Sequence, residues 1–219
     1  MEKRMPFTEK WEKKEQGPGF TGRIIDRIRT PTPIKVQIEQ ANRQVRLLIG
    51  QLNVAVGRIK QRDEEIFRHV VASLARHDNQ HAVVYANELS EIRKLGKMVT
   101  QAQLAMEQIS LRLGTITDLG EIASSLAPAV SVIRSMKDGL QTVMPDAERE
   151  MGEISGLLSS ILVDASATGG LSLNFDAANE EARKVLDEAA SVAEERMKES
   201  FPEIPSDVVV SGRTEELSS

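Results

Sequence analysis

Few titratable side chains in this sequence have a spacing that chemistry could use. His77 and His81 stand four residues apart, so on one helix they would share a face and could both bind zinc. No third ligand follows at a suitable spacing, and solvated histidines at a turn are the favoured interpretation. Asp63, Glu64 and Glu65 are consecutive, so they would point in different directions around a helix. A solvated face is therefore expected there, not a catalytic carboxylate pair.

Other chemical sites are excluded by residue types and motifs that are missing. The 219 residues contain no cysteine, which excludes disulfides, thiolate nucleophiles and cysteine-based metal sites. There is no Walker-type phosphate loop, no H-E-x-x-H pair and no nucleophile elbow. The sequence therefore predicts a protein that is not an enzyme and uses no cofactor or metal.

Cellular location is predicted from the same sequence. The absence of cysteine favours the cytoplasm, and no apolar run approaches the roughly 20 residues that cross a bilayer. The first residues also lack the apolar core of a signal peptide. We therefore expect a cytoplasmic protein that is soluble or peripheral at the inner face of a membrane.

Charge is divided unevenly along the chain. Residues 1–97 contain 19 Lys and Arg against 12 Asp and Glu, whereas the remainder contains 9 against 21. The basic side chains between residues 23 and 60 are candidates for binding anionic lipid head groups: Arg23, Arg27, Arg29, Lys35, Arg43, Arg46, Arg58 and Lys60. An ordinary solvated helix face is the alternative. Nucleic acid is an unlikely ligand, because no aromatic residues are interleaved to stack on bases.

Two long heptad patterns must position these charges. After Thr32-Pro33, a helix start signal, apolar residues alternate in steps of four and three from Ile34 to Ile59 and predict a helix to about Arg76. A second pattern runs from Ile92 to Ile116, and His77-Asp78-Asn79 is the turn candidate between the two. The second helix should end by Leu126, because Pro128 disfavours helix in the residue before it. The predicted fold is all-α, a long antiparallel helical hairpin followed by shorter helices, with flexible termini.

Three glycines interrupt these helices, at Gly50, Gly57 and Gly96. Each either marks a close helix approach or is a tolerated weak point. The whole chain divides into a flexible basic N-terminal arm (1–31), the hairpin core (32–126), short helices that pack on or extend it (127–163), a linker (164–175), an acidic last helix (176–199) and a proline-containing tail (200–219).

This order of segments resembles the ESCRT-III family. The segments VYANELSEIRKL (residues 84–95) and AMEQISLRL (residues 105–113) are similar to its second helix, and the archaeal cell-division (Cdv) branch is the closest match. The segment after Pro205 has no strand-like pattern for the winged helix that some relatives carry, so we expect a paralogue without one.

The tail adds a second resemblance. FPEIP (residues 201–205) is similar to the proline-rich motif of this family that lies in a groove of a three-helix MIT domain on an AAA ATPase. That resemblance implies that Phe201, Pro202, Ile204 and Pro205 bind such a partner. An extended, preformed peptide loses little entropy on binding, which suits this mode of recognition.

The resemblance implies a filament-forming subunit that assembles on anionic membranes with itself and with paralogues. It would take part in membrane remodelling or scission, in archaeal cell division, at the division site, and be disassembled by the ATPase. The alternative from the residues alone is a soluble coiled-coil adaptor without membrane activity.

Overall fold

The computed structural model describes residues 33–141, 143–169 and 175–203. These residues form five α-helices and no strand: α1 Ile34–Ala75, α2 Asn79–Thr115, α3 Leu119–Leu140, α4 Pro145–Gly169 and α5 Phe175–Ser200. The expected all-α fold is confirmed. Of the basic residues predicted from the sequence, Arg23, Arg27 and Arg29 lie outside the described residues.

Helices α1 and α2 form the predicted hairpin, which is the most extensive helix pair of the fold. With 42 residues, α1 extends about 63 Å at 1.5 Å per residue. The two heptad patterns meet along its length, so that Val45, Leu48 and Leu52 of α1 and Val99 and Met106 of α2 are fully buried. The apolar period of the sequence thus determines which faces pair.

The turn between these helices lies where Asp and Asn predicted it. His77 has a left-handed φ of 57°, its N–H donates to Leu74 O (2.9 Å), and Asp78 N–H donates to Ser73 O (2.9 Å). This is the hydrogen-bond pattern of a Schellman motif with histidine where glycine is usual. The Asp78 side chain then caps α2 by accepting from His81 N–H at 3.2 Å.

The helix stop expected before Pro128 is wrong. Helix α2 ends at Thr115, and Asp118 caps α3 by accepting from Glu121 N–H at 3.1 Å. Glu121 in turn accepts from Thr117 N–H at 2.9 Å. Helix α3 then continues through Pro128 to Leu140. The proline costs about 3 kcal/mol of helix propensity, and burial of the adjoining side chains in the core offsets that cost.

The remaining helices lie against the hairpin. Helix α4 packs on α3 and α1, and α5 packs on α2 and α3. The start of the predicted linker is wrong, because α4 continues to Gly169. Ala165 is only 1 % exposed, so this stretch of small residues contributes a side chain to the core. Helix α5 differs from its predicted bounds by one residue at each end.

Candidate functional site

The candidate membrane-binding residues of α1 are all at the surface. Lys35, Arg43, Arg46, Arg58 and Lys60 are exposed. At about 100° per residue, Lys35, Arg43, Arg46 and Lys60 fall within one arc about 100° wide, and Arg58 falls outside it. We call these four residues the α1 basic surface. From Lys35 to Lys60 it extends about 37 Å along the helix axis.

Few acidic side chains of the described residues neutralise the cations of this surface. Lys35, Arg43 and Lys60 form no ion pair within the part of the chain that the structure describes, and Arg46 Nε donates to Ser110 Oγ at 3.4 Å. Glu39 is exposed and lies in the same arc. Among the described residues, α1 packs on α2 and α4 but not on α5. The acidic last helix therefore leaves the α1 basic surface uncovered.

The acidic residues of α5 instead pair with cations of α2. Lys97 Nζ lies 2.9 Å from Glu194 Oε2, and Arg112 pairs with Glu181. The hydrogen bond from Arg112 lowers the pKa of Glu181, and the hydrogen bonds from Lys97 and then Lys198 lower the pKa of Glu194. Charge complementarity thus contributes to holding α5 on the hairpin, on the α2 side.

A buried ion pair lies where a solvated face was predicted. Asp63 is 0 % exposed and binds Arg93 through two hydrogen bonds, Nε to Oδ1 at 2.6 Å and Nη2 to Oδ2 at 3.3 Å. Glu64 and Glu65 are exposed as expected. The signal was present in the sequence, because steps of four and three from Ile59 to Ile66 pass through Asp63 and place it in the apolar seam.

The candidate partner-binding tail is described only at its start. Phe201 is partly buried and Pro202 is exposed, whereas Ile204 and Pro205 lie outside the described residues. The guanidinium carbon of Arg93 stands 5.6 Å from the centroid of the Phe201 ring, within cation–π range. The tail therefore begins in contact with the hairpin.

The histidines near the turn do not form a metal site in the described residues. His81 Nδ1 lies 2.7 Å from Asp78 Oδ2, and its hydrogen bonds lower the pKa of Asp78. Among the residues placed by the structure, no three His, Asp or Glu side chains cluster to hold a metal ion. None of the five helices is long and apolar enough to span a membrane.

Comparison with known proteins places the chain among archaeal division proteins. It is 43% identical over 173 residues to cell division protein B1 of Sulfolobus acidocaldarius, covering 79% of this chain and 81% of that protein. It is 28% identical over 175 residues to cell division protein B of the same organism, covering 78% and 67%. No family model and no solved structure matches. With this identity and coverage, the chain belongs to the ESCRT-III family, in its archaeal cell-division branch.

Proposed function

We propose that this chain is a filament-forming subunit that assembles on anionic membranes and remodels them during archaeal cell division. It would act in the cytoplasm, at the inner face of the membrane and at the division site. The observation that supports this most is the α1 basic surface, which is exposed and free of α5, on the hairpin of a chain whose relatives are division proteins.

The physical basis is multivalent electrostatic attraction. Each Lys or Arg near an anionic surface contributes about 1 kcal/mol, so the four cations of one subunit would bind weakly, less the repulsion from Glu39. Subunits joined in a filament place many such surfaces on one membrane, and effective concentration then strengthens binding without new contacts. Membrane affinity and self-association are therefore expected to depend on each other.

Co-sedimentation with liposomes tests this function. Lys35→Glu, Arg43→Glu and Lys60→Glu together reverse three cations that have no ion pair in the described structure, and should abolish pelleting with acidic vesicles. The matched control reverses Arg134, Arg183 and Arg196, which are exposed on α3 and α5, and should pellet like the unmodified chain. Equal loss in both variants would mean that net charge alone controls binding, and no loss in the first would contradict the proposal.

Closure of the subunit is the second part of the proposal. Helices α4 and α5 would dock on the hairpin in the soluble subunit and move away on assembly with copies of the chain and with paralogues. The ion pairs between α5 and α2 support a docked state. Removing residues 171–219 should increase self-association and liposome binding. Unchanged behaviour of this truncated chain would refute the autoinhibitory role.

Disassembly is assigned to the tail. Phe201, Pro202, Ile204 and Pro205 would bind the MIT domain of an AAA ATPase as an extended peptide. Ile204→Asp, which places a charge at an apolar position of the motif, tests this recognition. It should abolish binding to the MIT domain and leave polymerisation intact. Unchanged affinity would refute the motif.

A further inference from the structure

We infer that Arg93 clamps the first residue of the tail motif onto the hairpin, so that the docked subunit withholds Phe201 from a partner. This inference rests on the proposed function of the tail and adds its regulation. Binding by Arg93 competes with binding by a partner groove, because a groove that encloses the ring must displace Arg93 from its face.

The clamp begins with a guanidinium that is held rigidly. Two hydrogen bonds to one carboxylate fix the plane of Arg93, and its side chain is only 18% exposed. Asp63 is fully buried, so this anchor belongs to the α1–α2 seam and not to a mobile surface. The positive charge of the guanidinium is thus already in place for an aromatic ring.

The end of α5 places Phe201 so that the guanidinium carbon of Arg93 lies over the face of its ring, 5.6 Å from the centroid. Its N–H donates to Met197 O at 3.0 Å, continuing the last turn of the helix. One side of the ring site opens to a cavity of about 400 Å³, which is also lined by Ser90, Lys94 and Glu203. The ring is therefore partly covered by the hairpin, and it can leave through the open side without unfolding the core.

The preceding turn of α5 is held close to the same point. A Cβ added at Gly96 would lie 3.2 Å from Met197 Cε and 3.2 Å from Ile59 Cγ2, so a side chain of α5 and a side chain of α1 each pack closely against α2 at this glycine. Lys97 Nζ binds Glu194 at 2.9 Å one residue further along α2. The C-terminal end of α5 thus contacts a short stretch of α2, between Arg93 and Lys97, through Phe201, Met197 and Glu194.

The clamp has a direct consequence for binding. A partner can bind only the fraction of molecules in which Phe201 is free, so the apparent Kd rises as that fraction falls. Release of the end of α5 from α2 would then precede or accompany capture of the tail. A docked subunit would be a poor ATPase substrate, and an assembled subunit with α5 displaced would be a good one.

The first experiment measures binding of a recombinant MIT domain of an archaeal AAA ATPase to four partners: a synthetic peptide of residues 199–209, the unmodified chain, Arg93→Lys and Arg62→Lys. Lysine can still neutralise Asp63 but lacks the forked guanidinium that binds both Asp63 oxygens while its central carbon lies over the ring. The peptide should bind roughly tenfold or more tightly than the chain, and Arg93→Lys should recover part of that difference. Arg62→Lys is the matched control, because Arg62 pairs with exposed glutamates on the hairpin and does not contact α5.

The second experiment needs no partner. Hydrogen exchange of the amides in residues 194–203 should accelerate in Arg93→Lys and in Asp63→Ala with Arg93→Ala, and not in Arg62→Lys. The double variant removes the ion pair without leaving a buried charge alone. Unchanged exchange in both variants would overturn the clamp, and so would a peptide that binds no better than the chain. A peptide that does not bind at all would instead overturn the tail motif, while the exchange measurement still decides whether Arg93 holds α5.

Discussion

The hairpin consists of two regions that differ in which helices contribute to their cores. The base, residues 34–62 of α1 with residues 93–115 of α2, is covered by α3, α4 and α5, and its core is shared by all five helices. The tip, residues 64–92, has a separate small core around Ile66, Val70 and Leu89, in which every side chain comes from α1 or α2. Both regions have the same heptad period, so the difference lies in what covers the pair.

This difference assigns separate roles to the two regions. Exposed apolar side chains do not separate the two regions, because Val71 and Val84 of the tip are 45% and 61% exposed and Leu47 and Leu111 of the base are 64% and 71% exposed. The distinction rests on the core of the tip, to which only α1 and α2 contribute. The buried Asp63–Arg93 pair stands at the boundary, and α5 ends there at Ser200. The base would thus provide stability and closure. In the proposed filament, the tip would be the region available to neighbouring subunits.

The largest expected effect is at the boundary. Arg93→Ala leaves Asp63 buried without a partner, and breaking a buried pair in this way costs about 3–5 kcal/mol. The free energy of unfolding from denaturant titration measures it. Arg62→Ala removes only exposed pairs and should cost less than about 1 kcal/mol. Similar costs for the two variants would show that Asp63 is not held as a buried charge.

A matched pair of leucines compares the base with the tip. Leu158 of α4 and Leu89 of α2 are both 0 % exposed, and Leu→Ala in a core costs about 2–5 kcal/mol, less where the site can collapse. We expect Leu158→Ala near the upper end and Leu89→Ala near the lower end, because the tip has only two helices to hold the cavity open. Equal losses of unfolding free energy would contradict the distinction.

A substitution in the turn between α1 and α2 should stabilise the protein. His77 adopts a left-handed φ, which costs a residue with a Cβ about 1–2 kcal/mol. His77→Gly should therefore raise the free energy of unfolding by about 1 kcal/mol, after the greater entropy of glycine in the unfolded chain is subtracted. Asn79→Gly, at the first residue of α2, is the control and should destabilise. A destabilised His77→Gly would mean that the histidine side chain supports the turn.

The smallest expected effect is the pH dependence of α5 docking on the base of the hairpin. Glu181 and Glu194 have pKa values lowered by Arg112 and Lys97, so their contribution to docking is present above the ordinary glutamate pKa of about 4.3 and is lost as pH falls through their lowered values. Small-angle scattering should show α5 loosening in that acidic range. Glu181→Gln with Glu194→Gln should loosen it at pH 7. A double variant as closed as the parent would show that apolar contacts alone hold α5.

The sequence predicted the elements that follow from periodicity and turn chemistry. The paired seams, the reversal at His77-Asp78-Asn79 and the last helix agree with the structure. The α2–α3 break was missed although Asp118 and Glu121 have the spacing of a capping box. Helix through Pro128 could not be predicted, because its cost is offset by tertiary packing that local propensity does not contain.

Some features of the candidate site could be predicted from the sequence, and others could not. The exposure of Lys35, Arg43, Arg46, Arg58 and Lys60 follows from their positions outside the seam. The separation of Arg58 from the other four follows from the helix period alone. Two features required the packed structure: the docking of α5 on α2 instead of on the basic residues of α1, and the contact of Arg93 with Phe201. Of the three glycines, Gly96 alone has a close approach to another described residue, whereas added Cβ atoms at Gly50 and Gly57 would meet no heavy atom of the described residues within 4 Å.

The most direct test of the central claim is negative-stain electron microscopy of the purified chain with acidic vesicles, over a range of protein and salt concentrations. We expect filaments or coated tubules on acidic vesicles that grow with protein concentration and disappear at high salt. A discrete oligomer that stops growing with concentration and ignores lipid would contradict it, and would favour a closed coiled-coil adaptor.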